Sequence, residues 1–348
     1  MKKNPIKLSK LCILFVLLLC LSCSWDQIVR GRVIESINAK ADVARDLLDP
    51  NKITIILTGT GSPIPSDRIQ NSTAIFVNGQ FLVFDCGDGV AFAMEKLHLP
   101  VTDINGIFIT HFHSDHFADL GEVIDRSWLL GRKQTLNVYG PKGTSELVNG
   151  FLKSYGQEYF YRTKHHGEAV VPSQWKGAKP NEFLPNADGS SKIVYEKDGV
   201  IVRSFFVNHV PVEPAVGYRI EYKGKSIVIS GDTADSEFLK KQSSGADYLI
   251  SEVMSKSIVA KIGESYQSLG SPRFTKIMKD IQLYHIDAEE LGRLAEAAKV
   301  NTLVLTHMIP VSRNFIQTKS LYKDPIRKSF QGNLIIGEDG KRIEIPLP

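Results

Sequence analysis

His111, His113, Asp115 and His116 place four metal-ligand residues within six positions. They follow the apolar run Ile104-Asn105-Gly106-Ile107-Phe108-Ile109-Thr110, which predicts a short buried strand. Imidazole nitrogens and carboxylate oxygens are the ligand types that suit Zn2+. Alternate residues of an extended segment point the same way, so His111 and His113 can reach one metal. Asp115 and His116 lie past the bend and can face a second. A cluster that offers ligands to two adjacent positions suggests a binuclear centre. Three of the chain's nine histidines fall within it.

The elements that must position such a centre recur along the chain. Residues 200–207 read as a strand, and His209 follows. Residues 226–229 form another, ending in Ser230-Gly231-Asp232-Thr233, and residues 302–306 a third, ending in His307. Four strand ends thus each deliver a metal-type residue. In open α/β sheets that carboxyl edge is where ligands gather.

The chain has 348 residues, 43% hydrophobic and 9% aromatic, enough for a sizeable core in one large or two ordinary domains. Its start is distinct. Lys2, Lys3, Lys7 and Lys10 precede an apolar stretch, residues 11–21, too short to span a bilayer as a helix. Ser22 then precedes Cys23, and residues 1–22 read as an export signal. The Leu-Ser-Cys ending also resembles a bacterial lipoprotein signal, which would make Cys23 the lipidated first mature residue. Cys20 departs from that pattern, and cleavage to a soluble periplasmic protein is the alternative. Residues 23–50 are expected to be a tether and an N-terminal helix, and residues 51–348 a single domain.

Residues 1–22 hold four Lys and no acid, and taking these from 42 leaves 38 basic residues against 38 acidic ones. A neutral mature chain gives no reason to expect the field of a nucleic-acid binder. Cys12 and Cys20 leave with the signal and Cys23 is blocked by lipid, so Cys86 stands alone and no intrachain disulfide forms.

Within the domain, residues 53–57 read as a strand running into Thr58-Gly59-Thr60-Gly61-Ser62-Pro63, whose glycines suggest close backbone approach. No Gly-Lys-Ser/Thr follows, so this is not a phosphate loop. Residues 73–77 and 81–84 form a hairpin around Asn78-Gly79. Helices are expected at 90–97, 119–130 and 143–155, with a strand at 136–139. Residues 156–197 and 255–284 look irregular and are the expected walls of a substrate pocket. Asp287-x-x-Glu290 is a capping box. Residues 333–336 and 342–345 are expected to pair as a last hairpin.

The ordered set Thr110-His111-Phe112-His113-Ser114-Asp115-His116, His209, Ser230-Gly231-Asp232-Thr233 and Leu305-Thr306-His307-Met308 resembles the metallo-beta-lactamase superfamily. The segment 57–63 and the Asp85-Cys86-Gly87-Asp88-Gly89 loop match as well, and the likeness runs from about Ile53 to about Pro310. It implies an α/β (α+β) fold, a four-layer αβ/βα sandwich of two mixed sheets with helices outside and metals at one edge. It also implies two Zn2+ per chain. His111, His113 and His209 would hold the first, Asp115, His116 and His307 the second, and Asp232 would bridge them. Asp85 would orient a ligand histidine.

Within the superfamily the likeness is to the ribonuclease Z and class III arylsulfatase branch. It rests on His285 ahead of Asp287-Ala288-Glu289-Glu290-Leu291, and on Trp128-Leu129-Leu130-Gly131-Arg132 with Tyr139-Gly140-Pro141-Lys142-Gly143, which is similar to exported arylsulfatases. It implies that His285 protonates the leaving group, that Glu252 orients His285, and that Asp115 holds the nucleophile's proton besides ligating. The implied activity is cleavage of phosphodiester or sulfate ester bonds by metal-bound hydroxide in an exported hydrolase. The alternatives are a lactone or thioester hydrolase, a ribonuclease Z-type endonuclease, and a zinc-binding lipoprotein without turnover. Members that process transfer RNA carry a long Gly/Pro-rich basic arm with no copy here. The expected partners are therefore a small-molecule ester rather than nucleic acid, a membrane held through lipid on Cys23, and a second copy in a homodimer.

Overall fold

Side chains of the strand β1 (Lys52–Gly59) alternate between two apolar surroundings: Ile53, Ile55 and Leu57 face one core and Ile56 another. A strand buried on both faces needs a layer on each side, which is why the segment reads as a continuous apolar run. The computed structural model describes residues 6–64, 66–312 and 314–347, with side chains from residue 25 onward.

Among the described residues, two mixed sheets of seven strands lie face to face. The first contains β1, β2 (Ser72–Val77), β3 (Gln80–Phe84), β4 (Ile104–Phe108), β5 (Leu136–Pro141) and β6 (Ala178–Phe183). The second contains β7 (Lys192–Lys197), β8 (Val200–Phe206), β9 (Val216–Tyr222), β10 (Lys225–Ile229), β11 (Tyr248–Met254), β12 (Thr302–Ile309) and β13 (Asn333–Ile336). The last strand, β14 (Lys341–Pro346), returns to the first sheet beside β1. Leu82, Phe84 and Phe108 meet Val202, Tyr218, Ile229 and Val304 between the sheets. Helices Val90–Lys96, Leu120–Leu129 and Thr144–Ser154 cover the first sheet, and Glu237–Gln242 and Ala288–Ala297 the second. This is the four-layer sandwich the sequence led us to expect.

The hairpin of β2 and β3 forms as expected, with Asn78 and Gly79 at φ of 49° and 69°, the left-handed pair that a two-residue turn requires. The glycines after β1 do sit at a close approach: a Cβ on Gly59 would lie 1.8 Å from the Gln70 carbonyl oxygen. The neighbour they admit is the chain itself.

Several expectations are corrected. Residues 156–197 are not irregular; they form the helix Gly156–His166 and the strands β6 and β7. Both strands lie at sheet edges and are half exposed, and β6 carries Pro180, so neither shows the apolar signature of a central strand. Tyr159 and Trp175, expected in a pocket wall, instead pack around Trp128 in a small satellite core. Residues 255–284 form the helices Lys256–Ser268 and Pro272–Asp280, which bury one narrow side only. The terminal hairpin does not form. β13 pairs with β12 in one sheet and β14 with β1 in the other, because Asp339 between them accepts from the Thr60 N–H and hydroxyl and from the Ile69 N–H. A Gly-rich turn that bridges two sheets has the same composition as one that closes a hairpin.

The N-terminal helix runs unbroken over Ile6–Leu47, with residues 25–42 exposed and Leu47 buried against the first sheet. A tether distinct from a helix is therefore not seen. The side chains of the expected signal at residues 1–22, and of Cys23, lie outside the described residues. No helix among the described residues is long and apolar enough to cross a membrane.

Candidate metal centre

β4 ends at Phe108, and the chain then runs extended through His113 before one helical turn, Ser114–Phe117. Extended backbone puts His111 and His113 on one side; the turn brings Asp115 and His116 round beside them. β8 ends three residues before His209, and β10 three residues before Asp232. His307 lies inside β12 at φ 43°, opposite a register shift between Ser251 and Val253 of β11. That left-handed residue breaks the alternation of the strand and turns the imidazole into the cluster, the kind of local strain found at functional sites.

The seven expected ligands come together in two groups. His111, His113, His209 and Asp232 offer atoms within 4.8 Å of one another, and so do Asp115, His116, Asp232 and His307. His113 Nδ1 lies 3.1 Å from His111 Nε2 and 3.2 Å from His209 Nε2. Asp232 belongs to both groups: Oδ1 is 3.3 Å from His116 Nε2, and Oδ2 is 3.8 Å from His111 Nε2 and 3.5 Å from His307 Nε2. Asp115 Oδ2 lies 3.0 Å from His307 Nε2 and 3.4 Å from His116 Nε2. His116 Nε2 and Asp232 Oδ1 are buried, face each other and make no hydrogen bond among the described residues. Buried polar atoms are rarely left so, and a cation between them would satisfy both.

The outward-facing ring nitrogens of three ligands are held, while that of His307 is buried with no hydrogen-bond partner among the described residues. His116 Nδ1 donates to Asp85 Oδ2 at 2.8 Å, and His209 Nδ1 donates to the Tyr284 carbonyl at 2.9 Å. His111 Nδ1 lies 3.1 Å from the Thr110 hydroxyl, which itself donates to Asp85 at 2.9 Å. Each contact leaves Nε2 as a lone pair aimed inward, the arrangement by which outer partners set ligand tautomers. Asp85 also accepts from the Thr110 N–H at 2.8 Å and from Asn71 at 3.2 Å. Asn71, Thr110 and Tyr284 were not singled out from the sequence. Thr110 had a signal in its place beside His111, whereas Asn71 had none.

The two groups differ in charge. Burial pushes His111, His113 and His209 down, His209 to about 4, so these rings are neutral and ready to ligate. Burial also disfavours charge in the other group, but there the carboxylates win. Asp232 and Asp115 drive His116 up, and His307 up to about 9, while those imidazoles hold both carboxyls far below the usual range. The carboxylates thus require positive charge beside them, which a divalent ion supplies while leaving every imidazole neutral. The donor set fits zinc in kind: imidazoles and carboxylates, buried and oriented from outside.

His285 stands next to this centre. Its Nδ1 lies 2.7 Å from Glu252 Oε2, and its ring is 5.3 Å from that of His209 and 5.7 Å from that of His307. Glu252 Oε1 accepts from the Thr233 N–H at 2.5 Å, one residue from Asp232. Both sequence-derived candidates therefore touch the centre. Trp128–Arg132 does not: Arg132 is buried and donates to the Ser127 hydroxyl and to the Gln134 and Gly177 carbonyls, while Trp128 donates to the Pro172 carbonyl.

The sequence matches the metallo-beta-lactamase superfamily over residues 65–238. A ribonuclease Z of Mycobacterium marinum is 33% identical over 297 residues, covering 84% of this chain and 99% of that protein. The chain belongs to the metallo-beta-lactamase superfamily. A ribonuclease Z of Mycobacterium bovis is likewise 33% identical, covering 84% of this chain and 98% of that protein. Among solved structures, the metallo-beta-lactamase fold protein YhfI from Bacillus subtilis superposes with a TM-score of 0.60 at 18% identity, covering 84% of this chain and 100% of that one. Human tRNase Z, short form, gives a TM-score of 0.60 at 22% identity, covering 85% of this chain and 99% of that one. At these identities the two structures speak for the fold alone. The superfamily fold and the His/Asp clusters together make this a hydrolase-type site able to bind metal.

Relatives named ribonuclease Z overturn the expectation that set nucleic acid aside in favour of a small ester. That expectation leaned on the missing basic arm and on overall neutrality, and the net charge of a chain does not report the field at any one face. Neither the matches nor the described residues support the membrane partnership through Cys23 or the homodimer expected with it.

Proposed function

We propose that this protein is a metal-dependent phosphodiesterase of the ribonuclease Z kind, acting on RNA through a pair of zinc ions. The observation that carries the reading is the Glu252–His285 pair set against two ligand groups that share Asp232. His111, His113 and His209 would hold one ion, Asp115, His116 and His307 the other, with Asp232 serving both. Bound there, the ions would supply an activated water at neutral pH and offset the charge on the non-bridging phosphate oxygens.

The chain's own groups do the rest. Asp115 stays ionised at any working pH and can accept a hydrogen bond from the attacking water, fixing its orientation. His285 makes no hydrogen bond through Nε2 among the described residues, so that atom is free to give a proton to the departing alkoxide. Glu252 fixes the tautomer and balances the imidazolium. General-acid help of this kind is worth roughly 10²–10⁴ in rate and matters most for poor leaving groups. Of the two segments behind the sulfate-ester reading, Trp128–Arg132 is accounted for by packing away from the centre. The ribonuclease Z names of relatives that span this chain favour phosphodiesters.

Zinc-loaded full-length protein should cut a single-stranded RNA or a transfer-RNA precursor, and should stop when chelated. It should leave p-nitrophenyl sulfate intact. Turnover of the sulfate or of a lactone, with RNA untouched, would overturn the substrate class while leaving the metal centre standing.

A further inference from the structure

The helices Lys256–Ser268 and Pro272–Asp280 form a hairpin inserted between Glu252 and His285. It is clamped at both ends to the centre. On entry, the Met254 N–H donates to the Ile286 carbonyl at 2.8 Å and the Ser255 N–H to the Ile309 carbonyl at 2.8 Å. Lys256 pairs with Glu290 at 2.9 Å. On exit, the Tyr284 carbonyl accepts from His209. The inner side is apolar: Val259 and Met278 pack on Met254 and Ile309.

The outer side is cationic. Residues 256–280 hold Lys256, Lys261, Arg273, Lys276 and Lys279 against only Glu264 and Asp280, in a chain that is neutral beyond its first 22 residues. Lys261, Arg273 and Lys279 are exposed and make no ion pair among the described residues. Gln267, Ser271, Thr275, Lys279 and the ion pair Lys276–Asp280, at 2.8 Å, line a groove of about 510 Å³ there, so a phosphate would take Lys276 over from Asp280. Phe274, 45% exposed, stacks on Tyr266 at 5.0 Å. An exposed ring among cations is the composition by which proteins hold single-stranded nucleic acid. Lys279 stands six positions before His285, so this end of the groove lies at most about 22 Å along the chain from the proton donor. A strand held there is within a few nucleotides of the centre.

We propose that this hairpin grips the RNA strand flanking the scissile phosphate, with Arg273, Lys276 and Lys279 on backbone phosphates. The inference rests on the RNA reading above and names where that substrate is held. The test is the full-length triple variant Arg273→Ala/Lys276→Ala/Lys279→Ala, with a single-stranded RNA oligonucleotide and bis(p-nitrophenyl) phosphate as probes. RNA affinity should fall about tenfold or more. The slope of log affinity against log salt should shrink by about 2, since each lost phosphate contact on a single strand contributes about 0.7. Turnover of the small diester, too short to reach the hairpin, should stay within about twofold. An unchanged RNA affinity and slope, in a protein whose wild type cuts RNA, would overturn the grip alone. Equal losses on both probes would also contradict it, placing the effect in the fold or the centre. A wild type that turns over the small diester but neither binds nor cuts RNA would remove the RNA reading and the grip together.

Discussion

Glu252 joins His285 to the loop that carries Asp232: Oε2 lies 2.7 Å from His285 Nδ1, and Oε1 accepts from the Thr233 N–H at 2.5 Å. The carboxylate is buried, and burial followed by the charge of Asp232 pushes its pKa up although His285 pulls it down. His285 Nδ1 is thus held by a carboxylate that cannot relax into water. Any movement of the Asp232 loop is also felt at His285.

His285→Ala should keep the metal content and lose about 10²–10⁴ in kcat on RNA, where the leaving alkoxide is poor. On p-nitrophenyl diesters, which leave without protonation, the loss should be under about tenfold. Glu252→Gln should show the same contrast in weaker form, in kcat rather than KM, because it misplaces the proton without removing it. Equal losses on both leaving groups would assign the pair to binding or to structure.

Asp85 accepts from His116, Thr110 and Asn71. Asp85→Asn should weaken zinc binding about 10–100-fold, read by competition against a chelator of known affinity. The fold, followed by circular dichroism, should persist. Undiminished affinity would mean that His116 is oriented by packing alone.

Much of this was legible before any coordinates. Strands buried on both faces are rich in apolar residues, so β1, β4, β8, β10 and β12 are legible, and metal-type residues stand beyond or within the ends of the last four. What stayed hidden has a common cause. β6, β7 and the helices of residues 256–280 bury one side against the body and offer the other to water, which leaves too few apolar positions for a period to show. Asn71 reaches Asp85 from a loop and could be found only once the two sheets were set in place. The turn at Asp339 shows the converse limit: its composition marks a reversal but not which strands it joins.

Asp125 offers a test by pH. Burial, then the charges of Glu158 and Glu122, raises its carboxyl to about 6, and its Oδ1 has no hydrogen-bond partner among the described residues. The native state therefore holds this proton more tightly than the unfolded chain, whose Asp titrates near 4. Stability from this group is fully present below about pH 4, falls as pH rises toward 6, and stays lost above it. Asp125→Asn should raise stability by about 1–2 kcal/mol at pH 8 and change little near pH 4. Thermal melts of the two proteins at both values check this. A constant difference across pH would rule the titration out.

The proposed chemistry requires Asp232 to serve two metal positions at once. Chelator-stripped protein reloaded with zinc and desalted should contain about two ions per chain by mass spectrometry, and Asp232→Ala, still folded, should contain at most about one. A folded Asp232→Ala protein that keeps both ions, or a wild type that takes up only one, would contradict the shared centre on which the proposed chemistry rests.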